Sequence, residues 1–278
     1  MRALLFLLLS ALAAPAQTTL PVIAPAGPPL EAVTGVGTDR QWQAVGRIDT
    51  GPGFCTGTLI AADLVLTAAH CLFHPQTGER LPESGFSFNA GLRNGRPVAF
   101  RTVRRSVIHP GYATDLADQL DQVRTDIAIL ELDRAIPAEM VQPIPARGQA
   151  AVGDLVQIVS YGRDRADYAS LEDGCDVRAG EGGLQVLSCH IDPGSSGAPV
   201  FLRQNGRLGI VSVISAQAEW YDDPVSLAAD LGGGLAPILD LLDRTDDVFS
   251  REASRIRTLS AGNDGTEDIG ARFIRVTP

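Results

Sequence analysis

Positive charge is scarce in this 278-residue chain. The formal net charge is −10 and the pI about 4.8. Nucleic acid and anionic membranes bind through a basic face, so neither is expected as a partner. Aromatic residues make up only 5 %. The apolar fraction of 45 % is carried by Val, Ile, Leu and Ala beside abundant Gly, enough to bury a sizeable core. Helical periodicity is rare, which disfavours an all-α fold. Repeats of solenoid length are absent. No C-x-x-C pair occurs, and after the first dozen residues no apolar run is long enough to cross a bilayer.

The one long apolar run is Ala3–Leu12, preceded by Arg2. It is short for a transmembrane helix and has the layout of a secretory signal peptide. Ala14-Pro15-Ala16 offers small-x-small cleavage before Gln17, with Ala11-Leu12-Ala13 as the alternative. No cysteine follows the run closely, so a lipid-modified terminus is not expected. The product is expected to be secreted or periplasmic, with no membrane anchor after signal cleavage.

Export bears on the cysteines. Cys55, Cys71, Cys175 and Cys189 are even in number, and in an oxidising compartment that points to two disulfides. Of three possible pairings, Cys55–Cys71 with Cys175–Cys189 is favoured, because each pair brackets one hairpin-like unit. Each bridge would contribute roughly 3 kcal/mol. Cys55, His70, Cys71 and His74 also hold donor types of a zinc site. Adjacent His70-Cys71 is awkward for tetrahedral geometry, however, so no metal is expected.

Residues 17–38 are rich in Pro, Ala, Thr and Gly and read as a propeptide or extended arm. From residue 39 the chain becomes short apolar strands separated by turns. The expected strands of a first unit, 39–132, are Gln43–Ile48, Cys55–Ile60, Leu64–Ala68, Gly85–Ala90, Val98–Ile108 and Ile127–Leu132. The polar segment 111–125 reads as a loop or short helix. Residues 133–150, with Pro137, Pro143 and Pro145, read as a linker. A second unit, 151–245, has expected strands Asp154–Tyr161, Leu184–His190, Ala198–Arg203, Leu208–Ile214 and Val225–Ala229. Asn205-Gly206 is a hairpin turn signal. Leu235–Leu242 has helical spacing. The charged extension 246–278 carries one further candidate strand, Ala271–Val276. The expected fold is all-β: two packed antiparallel six-stranded barrels with a short C-terminal helix.

Three stretches carry candidate chemistry. In Ser188-Cys189-His190-Ile191-Asp192-Pro193-Gly194-Ser195-Ser196-Gly197-Ala198-Pro199, two serines lie between glycines. A serine hydroxyl attacks well only when a base removes its proton, and glycines let bare N–H groups face a developing oxyanion. Leu66-Thr67-Ala68-Ala69-His70-Cys71 ends an apolar strand with a histidine. Asp126 opens the strand Ile127-Ala128-Ile129-Leu130, where a buried carboxylate needs a partner.

Taken together, Thr67-Ala68-Ala69-His70-Cys71, Asp126-Ile127-Ala128-Ile129-Leu130 and Gly194-Ser195-Ser196-Gly197-Ala198-Pro199 resemble the chymotrypsin/trypsin-like serine peptidase family, in matching order over residues 40–245. The resemblance implies Ser196 as nucleophile, His70 as general base and acid, and Asp126 as the group orienting His70. It implies an oxyanion hole from the N–H groups of Gly194 and Ser196. It further implies a serine endopeptidase that acts on protein or peptide substrates through an acyl-enzyme, needs no cofactor and works as a monomer. Where animal members carry an aspartate that pairs with a new N-terminal amine, this chain has Ser195, which cannot make that ion pair. The likeness is therefore to the bacterial secreted branch, including glutamyl-endopeptidase-like members. Ser195 itself is expected to bond backbone within the loop.

For the substrate pocket the resemblance points to His190 at the base, where trypsin-type enzymes have aspartate, and to Ser212 and Ile214 on the second wall. Ser212 is matched to a serine near the triad aspartate. Ile214 is matched to a pocket-lining glycine and would narrow the pocket. His109 and His74 are expected to be structural or exposed loop residues, and Trp42 and Trp220 packing residues. An α/β-hydrolase would need the order Ser, Asp, His, which this chain lacks. The alternative function is a catalytically inactive binding module on the same fold.

Overall fold

The structure, a computed structural model, describes residues 30–33 and 39–245 and the backbone of 271–273. The expected signal peptide lies outside the described residues. A two-residue strand β1 (Glu31–Ala32) precedes the first barrel. That barrel is formed by β2 (Val45–Asp49), β3 (Phe54–Leu59), β4 (Leu64–Thr67), β5 (Ser87–Ala90), β6 (Ala99–Ile108) and β7 (Ala128–Leu132). The antiparallel order β2-β3-β4-β7-β6-β5 closes on itself, so no edge is left open to aggregate. The segment before β7 contains the short helix α1 (Gln119–Arg124), capped by the Asp118 carboxylate on the Leu120 N–H at 2.8 Å.

The second unit contains β8 (Leu155–Gly162), β9 (Arg165–Glu181), β10 (Leu184–Leu187), β11 (Pro199–Gln204), β12 (Arg207–Trp220) and β13 (Asp223–Asp230). Their order is β9-β10-β13-β12-β11-β8, and a β8–β9 pairing completes the ring. β1 adds to the outer edge of β9, and β14 (Ala271–Phe273) adds to β12 at Ala218–Trp220. The fold is thus the expected all-β pair of barrels. Asn205 and Gly206 both have positive φ, 52° and 74°, as a two-residue hairpin with a right-handed strand twist requires.

Besides the two-residue β1 and a β10 that ends at Leu187 and not at His190, three elements depart further from the sequence expectation. β9 was not foreseen. Its sequence RADYASLEDGCDVRAGE has few β-branched residues and a Gly174 at φ +85°, so it lacks an apolar alternation. It forms because its inward residues, among them Ala169, Cys175 and Val177, are buried against neighbouring strands. β12 runs six residues past Ile214, carried by pairing with β13 as far as Trp220↔Asp223. The C-terminal helix α2 (Leu231–Arg244) starts four residues early, capped by Asp230 on the Gly232 N–H. A side chain at Gly232 or Gly234 would collide with Gln149 or Ile127 at 2.2 and 2.5 Å. The glycines therefore serve close packing of the helix, and do not form a loop ahead of it.

One apolar cluster runs through both units. Trp42 from the first barrel meets Phe201 from β11 with ring centroids 5.1 Å apart, and the buried Tyr161 hydroxyl donates to the Leu92 carbonyl at 3.0 Å. The two units are therefore joined by a continuous apolar seam. Phe201→Ala should cost about 3–5 kcal/mol, the usual range for deleting a fully buried phenylalanine. This is measurable as a lower urea midpoint of one unfolding transition.

Candidate active site

The first barrel delivers two of the three motif residues. β4 and β7 are neighbours, with Thr67 opposite Ala128. His70 lies three residues past the first and Asp126 two before the second, so both fall at one end of the pair. Asp126 is 2 % exposed. Its Oδ1 accepts the His70 main-chain N–H at 2.8 Å, and its Oδ2 lies 2.6 Å from His70 Nδ1. Oδ2 also accepts Ser215 Oγ from β12 at 2.5 Å. Burial works against a charge on the His70 ring, while the Asp126 charge and hydrogen bond favour it. The net effect holds the imidazole pKa above its ordinary 6.5. The disulfide Cys55–Cys71 ties the residue after His70 to β3.

The second unit delivers the loop between β10 and β11. Gly194 has φ +101°, and a Cβ there would lie 2.3 Å from the Phe54 ring. Gly197 has φ +79°, and its Cβ would meet Thr67 Oγ1 at 2.2 Å. Both positions need glycine for conformation and for space. Thr56 on β3 fastens the loop to the first barrel. Its N–H donates to Ser196 O at 2.8 Å and its hydroxyl to Gly194 O at 2.8 Å. The N–H groups of Gly194 and Ser196 have no hydrogen-bond partner among the described residues. Ser196 is half-buried. His70 Nε2 lies 3.9 Å from Cys71 Sγ.

Beneath the loop is a charged cluster that sequence reading missed. Ser195 is fully buried, and its hydroxyl lies 3.2 Å from both Ser160 Oγ and Arg165 Nη2, 3.3 Å from the Tyr161 carbonyl and 3.3 Å from the Asp192 N–H. Arg165, 8 % exposed, also donates to Ser160 O and Ser160 Oγ, with Asp192 3.8 Å from its Nε. The buried Glu172 accepts the His190 N–H on both oxygens at 3.0 Å. Burial pushes its carboxyl up to about 7, against the opposing pull of that N–H and of Arg165. Arg165 and Glu172 belong to the unforeseen β9, so no local pattern marked them. The second disulfide, Cys175–Cys189, anchors the chain where it enters the loop. Both bridges pair as expected.

Two of the expected pocket residues lie in the interior of the second unit. Ser212 and Ile214 are fully buried, and Ile214 belongs to the core of the second unit. The serine that reaches Asp126 is Ser215, three residues further along β12. The cause is register. Ile214 N and O bond Ala198 O and Gly197 N, and a bulge then separates Ile214 from Ala216 in the pairing with β13. The wall facing the loop therefore lies at 215–217. His190 stands at the loop entrance, one-third exposed, its Nδ1 3.8 Å from Glu172. His109 Nδ1 accepts the Gly111 N–H, and His74 Nδ1 accepts those of Gln76 and Thr77, so both stabilise turns. Of the considered zinc group, both thiols are bonded to each other, leaving no thiolate donor.

Residues 55–210, more than half of the chain, match the trypsin-like peptidase domain family. An uncharacterized peptidase of Corynebacterium glutamicum (strain R) is 26 % identical over 216 residues, 76 % of this chain and 72 % of its own length. Serine protease 23 of Homo sapiens is 26 % identical over 199 residues, 63 % of this chain and 50 % of that protein. The solved structure of a Glu endopeptidase in complex with MPD superposes with a TM-score of 0.63 at 20 % identity, covering 76 % of this chain and 96 % of that one. At that identity the likeness is one of fold. The chain belongs to the trypsin-like peptidase family.

Proposed function

We propose that this protein is an exported serine endopeptidase. The observation that carries the reading is the hydrogen-bonded series Ser215–Asp126–His70 beside a loop whose Gly194 and Ser196 N–H groups have no partner among the described residues. Asp126 fixes the His70 tautomer with the proton on Nδ1, leaving Nε2 as the basic nitrogen. Nε2 takes the Ser196 hydroxyl proton as Oγ bonds to the substrate carbonyl carbon. The two N–H groups receive the resulting oxyanion. His70 then gives the proton to the leaving amine, the peptide C–N bond breaks, and water hydrolyses the acyl-Ser196 ester by the same route. Export is supported by two disulfides, which belong to oxidising compartments. Among the described residues no helix is long and apolar enough to cross a membrane.

A fluorophosphonate should label Ser196 in the folded protein, and Ser196→Ala should abolish labelling and lower peptide cleavage by on the order of 10⁴ or more. An intact, folded wild type that takes no label would sink the peptidase reading in favour of a binding module.

Activity requires neutral His70, whose pKa is held above 6.5. The acid limb of kcat/KM should therefore have its midpoint above pH 6.5. Asp126→Asn removes the charge that favours the imidazolium and leaves burial, so the midpoint should move below 6.5 while kcat falls by roughly 10⁴. A stopped pH–rate series on both proteins checks the direction.

Arg165 is a positioning residue. Arg165→Met keeps its apolar stem but leaves Ser195 and Ser160 oxygens without their buried donor. Loss of charged hydrogen bonds of this kind corresponds to roughly 10- to 100-fold. The loss should fall on kcat, with KM for a short peptide nearly unchanged, because the loop's N–H groups act mainly on the transition state. Steady-state kinetics separates the two.

A further inference from the structure

The strand ladder along β12 has a gap beside the loop that carries Ser196. On one side β12 pairs with β13 from Ser212 to Trp220. On the other side three partners follow one another. β11 runs to Val213. The main chain of Ile214 then bonds Gly197 and Ala198 of the Ser196 loop. β14 joins only at Ala218–Trp220. Among the described residues, 215–217 therefore has no strand partner on that side. An open strand edge is a template for another extended segment, and this one begins at the serine that touches Asp126.

The direction of β14 decides what can fill the gap. The pairing is antiparallel, with Ala271 opposite Trp220, Arg272 opposite Glu219 and Phe273 opposite Ala218. β14 therefore runs toward Ser215 and not away from it. At an unbroken register the next three residues, Ile274-Arg275-Val276, would fall opposite Gln217, Ala216 and Ser215. Three residues of strand reach about 10 Å, which matches a gap of three residues. Their composition suits the place. Ile274 and Val276 are β-branched, which favours extended backbone. No glycine or proline interrupts 271–276, and Pro278, with no N–H to give to a ladder, comes only after Thr277. The sequence marks Ala271–Val276 as one candidate strand, and β14 is its first half.

We propose that residues 274–276 complete the ladder against 215–217, so that the C-terminal extension occupies the approach to Ser196 and restrains the enzyme from within. This rests on the serine endopeptidase reading and adds a control to it. A peptide that reaches Ser196 in extended form uses the same edge, so extension and substrate compete for it. β14 holds the start of the occupant next to the gap, which gives it a high effective concentration there. Its grip is modest, because pairing over so few residues is marginal by itself, and a bound substrate displaces it. The consequence is a raised KM with little change in kcat.

The test compares the full chain with a chain stopped after Phe273, which keeps β14 and loses the occupant, and with the double variant Ile274→Pro/Arg275→Pro. Successive residues of a strand face opposite ways, so one of two adjacent prolines removes a donor to β12. Hydrogen exchange is read by mass spectrometry in a Ser196→Ala background, where no cleavage is needed. The amides of 215–217 that face the gap should exchange about tenfold faster or more in both altered chains, with the first barrel unchanged. With Ser196 intact, KM for a tetrapeptide p-nitroanilide should fall about threefold or more in both, and kcat should stay within about twofold. A synthetic peptide of residues 271–278 should inhibit the shortened chain competitively. Exchange that is equally fast in all three chains overturns the inference. So does protection that survives in the shortened chain and grows with protein concentration, which places a second copy on the edge. Faster exchange with an unchanged KM overturns the restraint. A full chain that shows the expected protection yet takes no fluorophosphonate at Ser196 overturns the peptidase reading and the restraint with it, while the pairing stands.

Discussion

A carboxylate buried to 2 % exposure is the constraint on which the site depends. An ionised Asp126 at that depth would cost several kcal/mol if left without donors. It is given three. Two come from His70, main chain and ring, and one from Ser215 on the other unit. The first pair fixes where His70 sits and which way its ring faces. The third ties β12 to the first barrel. The energetic demand of one side chain therefore sets the mutual placement of the histidine turn, the aspartate strand and the wall against which a substrate lies. Removing the serine or the histidine would leave a buried charge short of donors, which is why this junction is more than a surface contact between two barrels.

The loop that carries Ser196 is held by different means above and below. From the first barrel, Thr56 takes two carbonyls of the loop, Ser196 O through its N–H and Gly194 O through its hydroxyl. The N–H groups of Gly194 and Ser196 share peptide planes with the Pro193 and Ser195 carbonyls, which accept from the Arg163 and Ala198 N–H groups, and among the described residues these two N–H groups have no partner. From below, Arg165 and Ser195 form a buried polar knot with Ser160, and Glu172 holds the His190 N–H. Ser195 does bond the loop's own backbone, as its position implied. Its hydroxyl also meets a buried guanidinium, so the positive charge beneath the loop is supplied by a side chain of β9. A loop fixed on both sides by hydrogen bonds needs no reorganisation when charge develops at Ser196, and that lack of reorganisation is what makes an oxyanion site effective.

The parts of this design that sequence reveals are those encoded in contiguous residues. His70 beside Cys71, Asp126 before an apolar strand and Ser196 between glycines each carry a local signature, and the two disulfides follow from bracketing. The apolar strands of the first barrel are equally plain, because alternation and turn residues mark them. What was illegible is tertiary. β9 is polar and glycine-broken, and becomes a strand only because β8 and β10 offer it partners. Arg165 and Glu172 were hidden with it. Ser212 was matched where Ser215 belongs because nothing local in the strand's sequence marks which serine meets Asp126 across the two units. Ser212 and Ser215 differ by three positions yet one is fully buried and the other touches the buried Asp126 carboxylate.

The β12–β13 hairpin explains why recognition falls to so few atoms. Among the described residues, the β12 edge without a strand partner is 215–217, between Ile214, bonded to Gly197 and Ala198, and the start of β14 at Ala218. Main-chain pairing is sequence-blind, and here it is confined to about one substrate side chain's reach on either side of Ser215. Gln217 is placed there by the length of β12 beyond Ile214, a length that only the pairing with β13 determines. The strand beside the Ser196 loop is therefore placed by the hairpin's register, while His70, Asp126 and Ser196 come from three short contiguous motifs.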